Sequence, residues 1–298
     1  MIILMSNSKY ILIVFGGVIA AAAATIMLRS APKPVPAINK AQRIVSAAPQ
    51  LTEILYALGL EDKIAAVSSD SDYPGKTAKK QKIGTFWQLS METIIAARPD
   101  LVVMESFEQQ RNVGRRLEQM GYAVLTVTID NISQLFIAIE KIGKATGCQK
   151  RAAELSNGIR GRLVALSDKL NSQKKCSVLW VMQTEPVRVA GRETFPNELI
   201  ELAGGYNAIG PTVQKYPPIG VEQILACGAE IIIQPASAAI RIEAEQKAAE
   251  EFWSKWPSLP AVKNHRIYVV EPDTVSRLGP RLDKGLEVVG KCLHPNTK

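Results

Sequence analysis

One segment of this chain occurs twice, and the repeat restricts the folds that the sequence can adopt. Residues 87–103 and 216–233 each contain an aromatic residue, a loop, a glutamate, a short apolar helix, an acidic turn and an apolar β run. Aligning Glu92 with Glu222 brings all of these features into the same order. Two shorter pairs, 52–59 with 197–204 and 130–135 with 273–278, keep the order while the loops differ in length. The sequence therefore predicts two homologous halves.

The pattern within each half predicts its architecture. Short apolar runs typical of strands alternate with helical segments, which indicates a mostly parallel sheet covered by helices. With 298 residues the chain is long enough for two domains. We therefore predict an α/β fold of two similar lobes, an N-terminal lobe at 43–148 and a C-terminal lobe at 173–298, with a ligand cleft between them.

The longest helical pattern of the body lies between the lobes, from Gln149 to Asn171. Its apolar positions recur every three or four residues and share one face of a helix: Leu155, Ile159, Leu163, Leu166 and Leu170. At 1.5 Å per residue the segment spans about 35 Å, enough to reach from one domain to the other. We predict that residues 149–172 form one rigid connecting helix. A loop is predicted at 183–192, and residues 294–298 are expected to be frayed.

The N-terminus has the pattern of an export signal. After Lys9 an apolar stretch covers residues 11–28, and a Pro-rich segment follows Arg29. Eighteen apolar residues are compatible with the core of a signal peptide or with a membrane anchor. The stretch has no cysteine, which argues against a lipoprotein anchor. We predict a signal peptide or anchor at 1–30, a linker at 31–42, and a body exported to the periplasm or the outer face of the cytoplasmic membrane.

Composition excludes several other kinds of site. The net charge is +8, but the basic residues are scattered and no nucleic-acid-binding motif accompanies them. The chain has only two histidines, and its four cysteines have no C-x-x-C spacing, so neither a metal site nor a catalytic centre of the common motifs is predicted. No resident cofactor is expected. A disulfide remains possible, and burial as small apolar side chains is favoured for Cys176 and Cys227.

Two α/β lobes in sequence leave a crevice where the carboxyl ends of their strands face each other. The repeat then supplies Trp87 from one wall and Tyr216 from the other, and two flat rings suit a large, partly apolar ligand. Asp273 is either a helix N-cap, the favoured interpretation, or a polar contact to the ligand. Glu92 and Glu222 lie just inside helix starts. There they either interact with the helix dipole or form a two-point footprint for a basic partner.

These residues resemble a known family: the substrate-binding proteins of ABC importers with a helical backbone, which carry vitamin B12, ferric siderophores and haem. The resemblance covers about 43–293, and within the family it favours the cobalamin-binding branch. It is carried by the motifs at residues 43–53, 71–74, 84–87, 91–92, 98–102 and 276–282, together with Glu222 and its helix.

The resemblance implies particular roles for individual residues. It assigns Glu92 and Glu222 to docking on the membrane permease. Trp87, Tyr216 and Asp273 match family positions that touch the ligand. Phe86, Tyr73 and Arg188 are further candidate ligand-binding residues. Asp70 and Arg188 stand in loops where cobalamin binders tend to have aromatics, and an arginine suits a ligand with carboxylates.

The function expected from the resemblance is therefore not enzymatic. A monomeric carrier would capture a corrinoid outside the cytoplasmic membrane and deliver it to a permease and ATPase complex. A haem or ferric-siderophore carrier of the same fold is the alternative. An envelope enzyme that uses Asp or Glu as acid and base is a third hypothesis from a different class.

Overall fold

The structure is a computed structural model that describes residues 41–295. The predicted signal or anchor at 1–30, nearly all of the linker at 31–42, and residues 296–298 lie outside this range. Within 41–295, no helix has both the length and the apolar composition required to cross a bilayer.

The N-terminal lobe is built on a five-stranded parallel sheet with the order β3-β2-β1-β4-β5. Its strands are β1 (Ile44–Ser46), β2 (Ile64–Val67), β3 (Gln81–Lys82), β4 (Leu101–Glu105) and β5 (Val124–Val127). Its helices are α1 (Pro49–Ala57), α2 (Met91–Ala96), α3 (Glu108–Gln119) and α4 (Ile132–Thr146). The chain moves one way from β1 to β2 and β3 and the other way to β4 and β5. Ligands of open α/β sheets bind at such a switch point.

The helix α5 (Gln149–Asn171) follows, with the bounds that the apolar pattern predicts. Ile159, Leu163 and Leu170 are buried along it. One hydrophobic cluster combines these residues with side chains of both sheets, such as Val103 and Ile231. The connecting helix is thus part of a core that the two lobes share.

The C-terminal lobe repeats the scheme with a sheet ordered β10-β9-β6-β7, and β8 also pairs with β6. Its strands are β6 (Ser177–Thr184), β7 (Val187–Val189), β8 (Tyr206–Asn207), β9 (Ile231–Pro235) and β10 (Ile267–Val270). Its helices are α6 (Phe195–Leu202), α7 (Val221–Ala226), α8 (Ile242–Trp253), α9 (Pro260–Lys263), α10 (Pro272–Ser276) and α11 (Leu282–Leu293). The predicted α/β fold of two lobes with mostly parallel sheets is confirmed.

Backbone conformation supports the duplication. Gly59 after α1 and Gly204 after α6 are both left-handed, with φ of 67° and 78°. Arg98 after α2 and Gly228 after α7 also match, with φ of 46° and 55°. The acidic turn that follows has one role in both lobes.

The acidic turn, with Asp100 in one lobe and Glu230 in the other, fixes the start of the neighbouring strand. Asp100 accepts hydrogen bonds from the N–H groups of Gln42 and Arg43, just before β1, at 2.7 and 3.0 Å. Glu230 accepts one from the N–H of Ser177, the first residue of β6, at 2.8 Å. The two carboxylates therefore occupy equivalent places in the two sheets.

Three details differ from the expectations. The predicted loop at 183–192 contains β7, which pairs antiparallel with β6 because the chain reverses at residues 185–186. His294 is buried rather than frayed, since its Nε2 lies 3.0 Å from the carbonyl oxygen of Ala203. In the repeat pair 130–135 and 273–278 the two helices do not begin at equivalent positions. Asn131, inside the first segment, caps α4, whereas Glu271, which precedes the second segment, caps α10. All four cysteines are free.

Candidate functional site

One wall of the cleft is an aromatic cluster at the carboxyl edge of the first sheet. Phe86 and Trp87 lie in the loop before α2, and Phe107 precedes α3. The ring centroids of Trp87 are 4.6 Å from Phe86 and 4.9 Å from Phe107. Trp87 is nevertheless 58% exposed. A large ring supported on one side and open on the other is suited to stacking on a flat ligand.

Two buried or half-buried polar side chains hold this loop in place. The Gln110 amide, which is 1% exposed, donates to the carbonyls of Ala47 and Phe86 at 2.8 Å each. Asp70 Oδ2 accepts from the N–H of Phe86 at 2.6 Å. Asp70, one of the two residues in loops where the resemblance leads us to expect aromatics, is thus a support for the aromatic loop.

The opposite wall comes from the segment before α7 in the C-terminal lobe. The Arg188 guanidinium donates to the carbonyl oxygen of Tyr216 at 3.2 Å. Residue 188 also forms an antiparallel bridge with Pro218. The pKa of the Tyr216 hydroxyl is raised, first by burial and then by the negative charge of Asp130, a residue of the N-terminal lobe. The Tyr216 hydroxyl is therefore close enough to the N-terminal lobe to interact with a charge on it.

A short series of contacts joins the two walls. Ser106, beside Phe107, accepts a hydrogen bond from Thr128 Oγ1 at 2.7 Å. Asp130, two residues further on, pairs with Lys215 Nζ at 3.5 Å. Lys215 immediately precedes Tyr216. The Trp87 and Tyr216 loops therefore lie at the same side of the molecule, as one shared cleft requires.

A cluster of charges connects the lobes beyond the aromatic wall. Arg277 forms a two-pronged pair with Asp72, one arm at 3.2 Å, and pairs with Asp273 at 2.9 Å. The Arg281 guanidinium carbon lies 4.1 Å from the centroid of the Tyr73 ring. Tyr73, which is 47% exposed, thus takes part in a contact between the lobes, whereas Asp273 pairs with Arg277 inside the C-terminal lobe.

Arg281 also forms a buried ion pair. Its Nε and Nη2 donate to the two carboxylate oxygens of Glu53 at 2.9 and 2.6 Å. The Glu53 side chain is 3% exposed. The hydrogen bond to Glu53 is the main reason that the pKa of Arg281 is raised. Bidentate geometry of this kind fixes orientation as well as distance.

The favoured interpretation of Asp273 as an N-cap is wrong. The Glu271 side chain caps α10 by accepting from the N–H groups of Asp273 and Thr274 at 2.8 and 2.9 Å. Asp273 lies one position inside the helix and pairs with Arg277. Burial raises the pKa of its carboxyl despite that arginine. Asp273 is therefore free of a capping role.

A buried carboxyl group that was not predicted from the sequence lies at the end of β4, two residues before Phe107. Glu105 ends β4 and is 8% exposed. Its Oε1 accepts from Gln50 Nε2 at 2.6 Å. Burial, with a smaller contribution from the nearby charge of Asp130, raises the pKa of Glu105 to about 7, although the hydrogen bond from Gln50 opposes the shift.

The predicted docking glutamates occupy equivalent places on the two lobes. Glu92 and Glu222 are each the second residue of a short helix, α2 and α7, and both are exposed. Position and exposure fit both interpretations, a helix-dipole contact and a partner footprint.

Sequence reasoning missed Phe107, Glu105, Arg277 and Arg281 as residues of the cleft. A signal for the first two was present, because both follow the apolar run of β4, where the strand's carboxyl end opens on the crevice. The arginines lie in a motif already noted at 276–282, but their partners lie more than 200 residues away. Within 41–295, no cluster of three or more His, Cys, Asp or Glu side chains could hold a metal ion.

Known proteins similar to this chain are binding proteins of transport systems. The family model described as "Periplasmic binding protein" matches residues 44–274. An uncharacterized ABC transporter substrate-binding lipoprotein of Bacillus subtilis is 30% identical over 263 residues, which is 86% of this chain and 81% of the relative. A vitamin B12-binding protein of Vibrio parahaemolyticus is 28% identical, covering 85% of this chain and 89% of the relative.

Solved structures give the same fold with different cargoes. The periplasmic vitamin B12-binding protein of Vibrio cholerae superposes with a TM-score of 0.73 at 25% identity, covering 86% of this chain and 97% of that chain. A periplasmic haem-binding protein of Pseudomonas aeruginosa superposes with a TM-score of 0.76 at 28% identity, covering 87% and 94%.

Proposed function

Because the chain belongs to the periplasmic binding protein family, as an ABC importer substrate-binding protein of the type that serves vitamin B12, haem and iron siderophores, we propose that its cargo is a corrinoid. The family acts in transport outside the cytoplasm with a permease and an ATPase, not as a class of enzymes. We propose that the signal peptide or anchor predicted at residues 1–30 directs the export of this chain.

The observation that carries the proposal is the exposed Trp87 ring, backed by Phe86 and Phe107 and set at the same side as Tyr216. A corrin is a large, flat, partly apolar ring system with a polar rim. Stacking binds its face at low entropic cost, while the charged groups at the boundary bind its rim. Vitamin B12-binding relatives support the same cargo.

The test is a titration of the purified body with cobalamin, cobinamide, haem and a ferric siderophore, followed by tryptophan fluorescence. We expect micromolar or tighter binding of the corrinoids. Trp87→Ala should weaken the affinity for corrinoids at least about tenfold, because it removes a stacking contact worth about 1.4 kcal/mol. The matched control is Tyr206→Ala. Tyr206 is also an exposed aromatic residue, at 49%, but it lies in β8, which pairs with the start of β6 at the end of the sheet away from the cleft. No corrinoid binding in wild type contradicts the proposal.

A haem carrier is the second candidate, and Tyr73 favours it. A tyrosine phenolate is one of the side chains that bind haem iron. The guanidinium of Arg281 lies over the Tyr73 ring and holds that ring at the boundary between the lobes. Arg188 offers a partner for a haem carboxylate.

Tyr73→Phe separates the two cargoes, because it keeps the ring and removes only the oxygen. If haem is the cargo, the variant should lose haem affinity and change the absorbance spectrum of the haem complex. If a corrinoid is the cargo, its affinity should change less than about threefold, since the ring contact survives. The spectrum of the protein purified from its host gives an independent answer.

For docking, we propose that Glu92 and Glu222 contact basic groups of the permease. The double variant Glu92→Ala with Glu222→Ala should keep its ligand affinity and lose uptake. The control is Glu154→Ala with Glu243→Ala, which removes two exposed glutamates from α5 and α8. Normal uptake by the docking variant would leave the two residues as helix-start carboxylates only.

A further inference from the structure

Glu105 lies at the point of the first sheet where the chain switches direction. It ends β4, and Gln50, its hydrogen-bond partner at 2.6 Å, follows β1 in the first turn of α1. Strands β1 and β4 are the adjacent pair from which the chain turns to opposite edges. The crevice outside these two strand ends is where open α/β sheets bind ligands.

The backbone at this point is fixed. The N–H of Glu105 donates to Gln110 Oε1 at 2.7 Å, and the same glutamine amide holds the Phe86 loop. Phe107, two residues after Glu105, packs against Trp87 with the ring centroids 4.9 Å apart. The carboxyl of Glu105 is therefore set in a defined position beside the aromatic wall.

The polar and charged groups that face Glu105 come from two elements. Gln50 approaches from α1, and Asp130 acts from the loop before α4. Asp130 is paired at 3.5 Å with Lys215 of the opposite lobe, next to Tyr216. Glu105 thus lies beside the aromatic wall and close enough to Asp130 to interact with its charge, and its burial at 8% exposure leaves little water to screen its own charge.

A carboxyl in this setting has two states with opposite effects on a ligand. The neutral acid donates a hydrogen bond to a carbonyl and does not repel an anion. The carboxylate accepts from amide N–H or hydroxyl groups and repels another carboxylate. Burial and Asp130 raise the pKa of Glu105 to about 7, so both states are populated near neutral pH.

Resting on the corrinoid cargo proposed above, we propose that Glu105 selects ligands by charge: it favours a ligand edge that carries amides or hydroxyls and disfavours an edge that carries a carboxylate. Glu105 then acts as a specificity-determining residue of the cleft. It separates fully amidated corrinoids from their hydrolysed forms.

The test uses cobalamin and its monocarboxylic acids, in which one peripheral propionamide is hydrolysed, each isomer titrated separately at pH 5.5 and 8.5. The ligand carboxyl is ionised at both values, whereas Glu105 is mostly neutral at the first and charged at the second. For the isomer whose side chain faces Glu105, wild type should prefer cobalamin about tenfold more at pH 8.5 than at pH 5.5.

Glu105→Gln should reduce that pH dependence to less than about twofold while it still binds cobalamin, because the amide cannot ionise. The control Glu154→Gln removes an exposed charge on α5 and should behave as wild type. Asp130→Asn is a second variant. It removes the negative charge that raises the pKa of Glu105, so the pH at which discrimination appears should move down.

The outcomes separate this inference from the assignment of cargo. If wild type binds no corrinoid, the corrinoid proposal fails. If wild type binds cobalamin but no isomer shows a pH-dependent preference, or if Glu105→Gln keeps that preference unchanged, the corrinoid proposal stands and the charge selection by Glu105 is wrong.

Discussion

At the scale of single residues, Arg98 has a backbone conformation that glycine adopts more readily. Its φ of 46° is left-handed, and the repeat has a glycine, Gly228, at the equivalent place. A non-glycine residue in this region costs of the order of 1 kcal/mol. We expect Arg98→Gly to raise the free energy of unfolding by about 1 kcal/mol in urea denaturation.

Gly228→Ala is the reciprocal test for Arg98. A Cβ added at Gly228 meets no atom within 4 Å, so only the backbone conformation opposes it. The variant should lose about 1 kcal/mol. A gain in stability at Gly228, or a loss at Arg98, would mean that the left-handed turns are not the cause.

Glu105 also predicts how stability depends on pH. Its pKa rises from 4.5 to about 7 on folding, so the folded state binds more protons than the unfolded state between these values. The free energy of unfolding should therefore fall as pH rises from about 4.5 to 7, by at most about 3 kcal/mol. Glu105→Gln should match wild type near pH 4 and exceed it at pH 8 in urea denaturation. Equal curves at pH 8 would contradict the shift.

Trp87 and Tyr216 could be selected from the sequence because a repeat placed them in equivalent loops. Phe107 and Glu105 have no counterpart of that kind. Their signal is the end of one strand, and its meaning depends on which strands are neighbours in the sheet. Asp273 was favoured as the cap because aspartate is a preferred N-cap residue and glutamate is not, yet the side chain that caps α10 is that of Glu271, two positions earlier.

At the scale of elements, α4 has an N-terminus supported from both lobes. Asn131 caps it by accepting from the N–H of Gln134 at 2.9 Å. Glu198 of α6, in the C-terminal lobe, accepts from the N–H of Ile132 at 2.9 Å. These bonds satisfy two of the amide groups that a helix start leaves without partners.

Asn131→Ala should therefore lower the free energy of unfolding by about 1 kcal/mol, the typical cost of a lost cap. Asn157→Ala, at an exposed position within α5, is the control and should change stability by less than about 0.5 kcal/mol. Chemical denaturation of both variants at one pH gives the comparison. If the two variants lose the same amount, the Asn131 cap is not the cause.

The sequence predicted elements well where periodicity was long, and less well where pairing decided the structure. The helix predicted at 149–171 agrees with α5, because the regular apolar positions from Leu155 to Leu170 constrain a helix strongly. Strand β7 has three residues, Val187–Val189, and exists because β6 continues far enough to pair with it. No local pattern of that length distinguishes a strand from a loop.

At the scale of the whole molecule, the Glu53–Arg281 pair is a fixed contact between the lobes. Its partners are 228 residues apart, and Glu53 is almost fully buried. Removing one member of a buried pair leaves an uncompensated charge and costs about 3 kcal/mol. Arg281→Met should therefore destabilise the protein by about that amount and broaden the separation of the lobes measured by small-angle X-ray scattering.

The exposed pair Lys76–Glu61 supplies the control for Arg281. Its side chains are 69% and 38% exposed, and surface pairs contribute less than about 1 kcal/mol. Lys76→Met should change neither stability nor scattering appreciably. Restoring stability with Glu53→Gln in the Arg281→Met background would assign the loss to the unpaired carboxylate. Failure to do so would assign it to lost packing.

The hydrophobic cluster that runs from β4 through α5 to β9 has a consequence for the origin of the molecule. Although the halves repeat one plan, each now completes its interior with apolar side chains supplied by the other. A fragment cut on either side of the connecting helix would expose part of that interior to water and should aggregate. Neither half should therefore be stable without the other, whatever the duplicated ancestor was. The chain should unfold as one cooperative unit in calorimetry.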